Sequence, residues 1–164
     1  MIKLTKRTEY GLIALMHLAD SEGRVVPSRE IGEHFHVPQR LLAESLKDLC
    51  HAGLVSSTRG ATGGYQLARE AADITLGDVV TALEGAPAVT GCNDLGAALR
   101  DGSCDIESVC PIRSPLERVR AGIWALLEGT SLRSLADRSL SPTQLLTTAT
   151  TNVSRAASSA TRAS

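Results

Sequence analysis

Three of the four cysteines in this 164-residue chain lie in one polar segment. They are Cys92, Cys104 and Cys110, and Pro111 follows the last of them. Thiolates gathered on a segment rich in Gly, Asp and Ser are typical of chemical sites, since cysteines that only pack need apolar neighbours. The spacing Cys-x11-Cys-x5-Cys-Pro lacks the paired CxxC motifs of a zinc ribbon. It favours an iron–sulfur cluster that takes its fourth ligand from elsewhere.

Carboxylates in the same segment could add oxygen ligands to such a site, namely Asp94, Asp101, Asp105 and Glu107. The four histidines, at positions 17, 34, 36 and 51, all precede the cysteine segment by forty residues or more. The fourth cysteine, Cys50, falls on the apolar stripe of a predicted helix, and we interpret it as a core residue. Zinc held by the three cysteines and a distant histidine remains an alternative.

Composition predicts a mainly helical protein. Apolar residues make up 43% of the chain but aromatic residues only 2%, so Leu, Val, Ile and Ala must form the core. The first residues are polar and no apolar run approaches membrane-spanning length, so we expect a cytoplasmic protein with no membrane partner. In that reducing compartment, clustered cysteines are typical of metal ligands or redox sensors.

Apolar periodicity predicts three helices and a hairpin in the first half of the chain. The predicted helices cover 5–20, 28–35 and 38–52, and two short strands cover 54–58 and 65–68. This order of elements is typical of a winged helix-turn-helix domain. We expect Thr5 and Ser28 to cap the first two helices, and Ile31 and Phe35 to be buried.

The second half supplies a fourth helix, the cysteine segment and a longer helix. Thr75 and Asp78 are placed as a capping pair, and Gly85 ends that helix. The apolar stripe of the helix predicted at 114–128 needs a partner surface, and a second copy of the chain is the simplest one. From residue 141 onward, 16 of 24 residues are Ser, Thr or Ala, which predicts a disordered tail.

These patterns define a mainly α fold: a winged helix-turn-helix domain with a small β-hairpin wing, followed by a long dimerisation helix. The predicted divisions are a DNA-binding domain at 1–85, a cysteine-bearing loop at 86–113, a dimerisation helix with the segment after it at 114–140, and the tail at 141–164.

The third helix carries side chains that can read base edges. In a winged helix-turn-helix domain this helix enters the major groove, which here presents Gln39, Arg40 and Glu44, with Lys47 farther along. Gln and Arg can make bidentate contacts to adenine and guanine. Net charge is only −1, with nine Lys/Arg against seven Asp/Glu in residues 1–69, so charge permits DNA binding without requiring it.

Two further places are suited to the DNA backbone and the minor groove. Ser28 and Arg29 begin the second helix, where free backbone N–H groups favour phosphate. Arg59 and Gly60 lie at the glycine-rich tip between the strands, a position from which an arginine can enter the minor groove. No sequence pattern of a nucleotide-binding loop or a catalytic triad stands out, so we expect no enzyme.

Several of these stretches resemble the winged-helix regulators typified by IscR and NsrR, the Rrf family. The resemblance spans about residues 2–140, and its most specific part is Leu-Val-Ser-Ser-x-Arg-Gly-x-x-Gly-Gly-Tyr at 54–65. The other matching stretches are 4–10, 26–28, 63–67 and 74–80, with the cysteine segment and the helix after it.

The resemblance implies a cytoplasmic, homodimeric transcription regulator, expected to be a repressor, whose affinity for a palindromic DNA operator is set by an iron–sulfur cluster that senses nitric oxide, redox state or iron. It assigns Cys92, Cys104 and Cys110 as cluster ligands and carries DNA contact over to the third helix and Arg59. In NsrR-like members a carboxylate of the other subunit completes the cluster, and Glu9 is the matching residue here. The cluster type, [4Fe-4S] or [2Fe-2S], stays open.

The chain departs from the family pattern in two places. Family loops have five residues between successive cysteines, whereas the first gap here has eleven, so Cys104 and Cys110 are better supported as ligands than Cys92. Arg113 stands where IscR-like members carry a histidine ligand. The alternatives are a regulator that uses the cysteines as a thiol switch or zinc site, and an iron–sulfur carrier or adaptor that does not bind DNA.

Overall fold

A computed structural model describes residues 4–21, 23–60, 62–85 and 111–162. Seven helices and one antiparallel hairpin are present in these residues, which confirms the mainly α class with a small β-hairpin. The helices are α1 (Lys6–Asp20), α2 (Ser28–Phe35), α3 (Gln39–His51), α4 (Leu76–Glu84), α5 (Arg113–Gly129), α6 (Leu132–Ala136) and α7 (Pro142–Arg162). The strands are β1 (Val55–Thr58) and β2 (Gly64–Leu67).

Local hydrogen bonds explain where two of the helices begin. The side chain of Thr5 accepts a hydrogen bond from the Thr8 N–H at 3.3 Å, and it caps α1 as predicted. Thr75 and Asp78 form the predicted reciprocal capping box of α4, with bonds of 3.0 and 3.1 Å. The prediction for Ser28 is wrong by one residue, because Pro27 is the extended N-cap residue and Ser28 is already helical.

The core lies between α1, α3 and α4, with α2, the hairpin and α6 closing its sides. Its largest fully buried side chains are Leu15, Ile31, Leu42, Leu46, Leu49, Leu54, Ile74 and Leu132. Phe35 was expected to be buried beside Ile31, but it is 39% exposed. Its ring lies edge-on to His34 and His17, with centroids 4.5 and 5.4 Å away, so histidine rings replace the core as its neighbours.

The hairpin is fixed to the segment that precedes α2. Its register runs from Val55↔Leu67 to Thr58↔Gly64. Val26 and Tyr65 exchange two backbone hydrogen bonds of 2.8 Å, which place the backbone at Val26 antiparallel beside β2. A Cβ on Gly64 would overlap the carbonyl of Val26, so this close approach requires glycine.

Residues 142–162 form α7, so the prediction of a disordered tail is wrong. Ser141 and Gln144 begin the helix with reciprocal hydrogen bonds of 2.8 and 3.3 Å. Ala149 is buried against Gly129 at the end of α5, and Asn152 donates to the Gly129 carbonyl at 3.1 Å. Small residues allow the two backbones to touch, so this contact needs few large apolar side chains. Among the described residues, no helix is both long and apolar enough to cross a membrane.

The contact between α5 and α7 predicts the effect of one added methyl group. A Cβ at Gly129 would overlap the Ala149 carbonyl, so Gly129→Ala should detach α7 and lower the free energy of unfolding by about 1–3 kcal/mol. Urea unfolding measures that change, and limited proteolysis reports the exposed helix. Gly122→Ala is the control, because a Cβ there meets no described residue within 4 Å and helix propensity alone should stabilise the protein by up to about 1 kcal/mol. Equal stability of the two variants would contradict the packing described.

Candidate nucleic-acid interface

A tight connection sets α3 against α2. His36 has a φ of 54°, in the left-handed region, and ends α2. The N–H of Val37, whose side chain is buried, then donates to the Gly32 carbonyl at 3.0 Å. Gln39 crosses back over Gly32, where a Cβ would overlap its amide, and donates to the Ser28 carbonyl at 3.4 Å. The turn thereby fixes the relative position of the two helices.

The amphipathic pattern of α3 separates a buried face from an exposed one. Leu42, Leu46 and Leu49 are fully buried on the core side. The predicted reading residues Gln39, Arg40, Glu44 and Lys47 are all exposed. The structure therefore brings these four side chains to one open surface, although Gln39 uses its amide to hold α2.

Two arginines on this surface each have a carboxylate one helical turn away. Arg40 Nε donates to Glu44 Oε1 at 3.2 Å, and the Arg40 side chain is 90% exposed. Arg29 Nε donates to Glu33 at 2.6 Å, and its side chain is 84% exposed. The Glu33 contact raises the pKa of Arg29. Sequence reasoning did not single out Glu33, although its i, i+4 spacing to Arg29 was the available signal.

The start of α2 and the hairpin tip line one open groove. Ser28 and Arg29 lie on one side of it, and Arg59 and Gly60 lie on the other. No side chain of the described residues caps α2, so the N–H groups of Ser28 and Arg29 are available to an anion. The four residues predicted for backbone and minor-groove contact are thus neighbours in space, and the groove suits a phosphate.

The first turn of α1 holds α3 in place. The hydroxyl of Ser45, which is fully buried, shares its one proton between the Arg7 carbonyl at 2.9 Å and the Leu41 carbonyl at 3.0 Å. The guanidinium of Arg7 also pairs with Asp48, one turn farther along α3. Any displacement of this turn of α1 therefore acts directly on α3.

The same turn is bonded on its other side to the end of α4. Glu84 Oε1 accepts the Thr5 N–H at 2.8 Å. Burial acts to raise the pKa of Glu84, but hydrogen bonds from Thr8 and Thr5 outweigh it and leave that pKa below its ordinary value. Glu84 directly precedes Gly85 and the cysteine-bearing segment, so the turn lies between the root of that segment and α3.

Glu9, the predicted fourth ligand, lies on the surface of the first turn of α1. Its carboxylate accepts a hydrogen bond from Lys6 Nζ at 2.5 Å, and its side chain is 40% exposed. The Glu9 contact raises the pKa of Lys6. A partially exposed carboxylate with one flexible lysine partner is accessible to a ligand site on another molecule.

The three cysteines predicted as ligands, Cys92, Cys104 and Cys110, lie outside the described residues. Cys50 is half-buried against the core, as predicted, and burial raises the pKa of its thiol. Within the described part of the chain, His, Cys, Asp and Glu do not form a group of three or more that could hold a metal ion.

One charged cluster on the outer side of α1 and α2 was not predicted. Arg24 donates two hydrogen bonds to Glu30, of 2.5 and 3.1 Å, and His17 Nε2 lies 3.4 Å from the same carboxylate. The Arg24 guanidinium, with a smaller contribution from His17, holds the pKa of Glu30 at about 2. The sequence contains no periodic signal for this cluster, because His17, Arg24 and Glu30 do not share one helix and only the fold brings them together.

Comparisons with known proteins give one consistent result. The Rrf2 family model, described as an iron-dependent transcriptional regulator, matches residues 4–138. The protein rrf2 of Nitratidesulfovibrio vulgaris is 33% identical over 143 residues, which cover 86% of this chain and 92% of that protein.

Solved structures of regulators have the same architecture. The oxidized form of Staphylococcus aureus CymR matches with a TM-score of 0.63 at 31% identity, covering 85% of this chain and 100% of that one. IscR of T. potens matches with a TM-score of 0.61 at 30% identity, covering 85% of this chain and 89% of that one. In this chain, the order of α1, α2, α3 and the hairpin is that of a winged helix-turn-helix domain.

Proposed function

The chain belongs to the Rrf2 family of transcriptional regulators, and from that premise we propose that it is a homodimeric repressor whose affinity for a DNA operator is set by an iron–sulfur cluster. The observation that carries the DNA-binding part is the shared surface of α3, the start of α2 and the hairpin tip. Arg29 and Arg59 line one groove. The start of α3 is joined to the start of α2 by the Gln39–Ser28 hydrogen bond, and Arg40 is exposed on α3.

Each element of this surface has a distinct task on double-stranded DNA. We place α3 in the major groove, where Arg40 contacts base edges and Gln39, Glu44 and Lys47 flank it. The uncapped start of α2, at Ser28 and Arg29, takes a phosphate. Arg59, beside Gly60, enters the adjacent minor groove.

An exposed apolar stripe on α5 supports a homodimer. Ile112, at the N-cap of α5, is 59% exposed, and Val119, seven residues later on the same side, is 53% exposed. Apolar side chains at this spacing form a seam that a second copy of α5 can cover. A two-fold dimer presents two copies of α3, which is why we expect the operator to be palindromic.

The donor set suits an iron–sulfur cluster held between subunits. Cys92, Cys104 and Cys110 would supply three thiolates, and Glu9 of the other copy, whose carboxylate accepts a hydrogen bond from the exposed Lys6, would supply an oxygen. Such a cluster supplies sensitivity to nitric oxide, oxidation and iron shortage. If Glu9 no longer bound the cluster, its carboxylate would contact Lys6 instead of the other subunit. The first turn of α1 would then be held in place differently.

The hydrogen bonds of that turn connect the cysteine segment with the helix that we place on DNA. The Thr5 N–H is bonded to Glu84 at the root of the cysteine segment, and the Arg7 carbonyl is bonded to Ser45 on α3. A movement of α1 therefore alters how α3 meets the major groove. A tenfold change in operator affinity needs only about 1.4 kcal/mol of difference between the two states.

A thiol switch is the second candidate, because a matching CymR structure is of an oxidized form. In that case the same cysteines would exchange between thiols and a disulfide without iron. A third candidate is a zinc site formed by the same thiolates. A fourth, an iron–sulfur carrier that does not bind DNA, would not account for the exposed arginines.

Metal analysis of anaerobically purified protein separates these candidates. We expect iron and sulfide in the protein and visible absorption from thiolate-to-iron charge transfer. Cys104→Ala and Cys110→Ala should each abolish that absorption, and Cys92→Ala tests whether the long first gap still allows ligation. Cys50→Ala is the matched control and should keep the metal, since Cys50 packs against the core. Iron-free protein, or protein that holds zinc, would contradict the cluster proposal.

Selection from a randomised duplex library tests the DNA surface. The wild-type protein should enrich a palindromic sequence, and Arg40→Ala with Arg59→Ala should lower affinity for it by roughly ten- to a hundredfold through lost base and groove contacts. Arg133→Ala, an exposed arginine on α6, is the control and should bind as wild type. Unchanged affinity in the double variant would refute this DNA surface.

A further inference from the structure

We propose that Glu44 determines base specificity by acting through Arg40, as a positioning residue. This inference rests on the proposed function, since it assumes that α3 meets the major groove. Its starting observation is the ion pair between the two side chains, in which Arg40 Nε donates to Glu44 Oε1 at 3.2 Å.

The geometry of this pair leaves the useful edge of the guanidinium free. Glu44 engages Nε, and the two terminal nitrogens of Arg40 have no hydrogen-bond partner among the described residues. A guanidinium carries its donors in a fixed plane, so fixing Nε also fixes the direction of the terminal fork. That fork is able to make the bidentate contact to guanine O6 and N7.

The same carboxylate opposes DNA in a wrong register. Glu44 is exposed on the face of α3 that would approach the duplex, with its side chain 49% exposed. On a duplex that places no guanine at Arg40, the favourable Arg40–guanine contact is missing. The repulsion between the Glu44 carboxylate and the negatively charged duplex is then not offset. Glu44 should therefore weaken nonspecific binding while it strengthens the preference for guanine.

The chain provides a matched control on α2. Arg29 and Glu33 have the same i, i+4 spacing and an Nε–Oε1 distance of 2.6 Å, and both side chains are exposed. Arg29 lies in the groove suited to a phosphate, and phosphate contacts carry no direct sequence information. Loss of Glu33 should change affinity for all duplexes alike.

A double-mutant cycle on DNA measures the coupling. The probes are the duplex that the wild type selects from a randomised library, the same duplex with the guanine read by Arg40 replaced, and an unrelated duplex. The guanine read by Arg40 is identified with the Arg40→Ala variant. It is the base whose replacement lowers the affinity of the wild type but not that of Arg40→Ala.

We expect Glu44→Ala to lower the preference for this guanine by about three- to tenfold and to raise affinity for the unrelated duplex. In the Arg40→Ala background the same change should leave the preference where it is. Glu44→Gln keeps an oxygen acceptor for Nε and should restore most of the preference, which loss of folding would not allow. Glu33→Ala should shift all three affinities by a similar factor.

Each other result overturns a defined part of the proposal. Guanine preference that is unchanged in Glu44→Ala, or that falls equally with and without Arg40, overturns the role of Glu44 and leaves the DNA-binding function intact. A wild-type protein that selects no duplex, or an Arg40→Ala variant that keeps the full preference at every position, overturns the proposed DNA surface itself.

Discussion

The first turn of α1 is the constraint on which the arrangement of the molecule depends. The Ser45 hydroxyl is fully buried and has two carbonyl acceptors, one of them Arg7 in this turn. The Arg7 carbonyl accepts from Ser45 and the Arg7 guanidinium pairs with Asp48, and these two contacts together hold α1 and α3 in one register. The Thr5 N–H on the other side binds Glu84, which precedes the cysteine segment. One turn of helix therefore connects the candidate sensor with the candidate reading helix.

The position of α3 in turn determines the positions of the hairpin and of the start of α2. The Leu54 N–H donates to the Leu49 carbonyl at 3.0 Å, so the hairpin starts at a fixed angle from the end of α3. The paired backbone bonds of Val26 and Tyr65 then join the hairpin to the start of α2. Helix α3, the start of α2 and the hairpin are thus joined by a closed chain of contacts, so a movement of α1 acts on the whole candidate DNA surface and not on a single side chain.

The sequence predicted most elements because their signals are local. Helix periodicity, the Thr75–Asp78 capping box and the glycine-rich hairpin depend on residues within a few positions of one another. Apart from the cap of α2, which was misplaced by one residue, the predictions that proved wrong depend on neighbours outside the local sequence pattern. Phe35 meets histidine rings at the surface, and α7 is held by the close contact of Gly129 with Ala149, which composition does not reveal. The i, i+4 spacing of Arg40 and Glu44 on α3 was a local signal for an ion pair, but it did not show that the bond uses Nε, because side-chain rotamers decide that.

The most direct measurement is the dissociation constant for the selected duplex, taken with anaerobically purified protein before and after a chelator removes its iron. We predict a change of about tenfold or more, in step with the loss of visible absorption, because the restraint on α1 changes with the ligand state of the cysteine segment. An identical dissociation constant in the two states would contradict the coupling of cluster, α1 and reading helix.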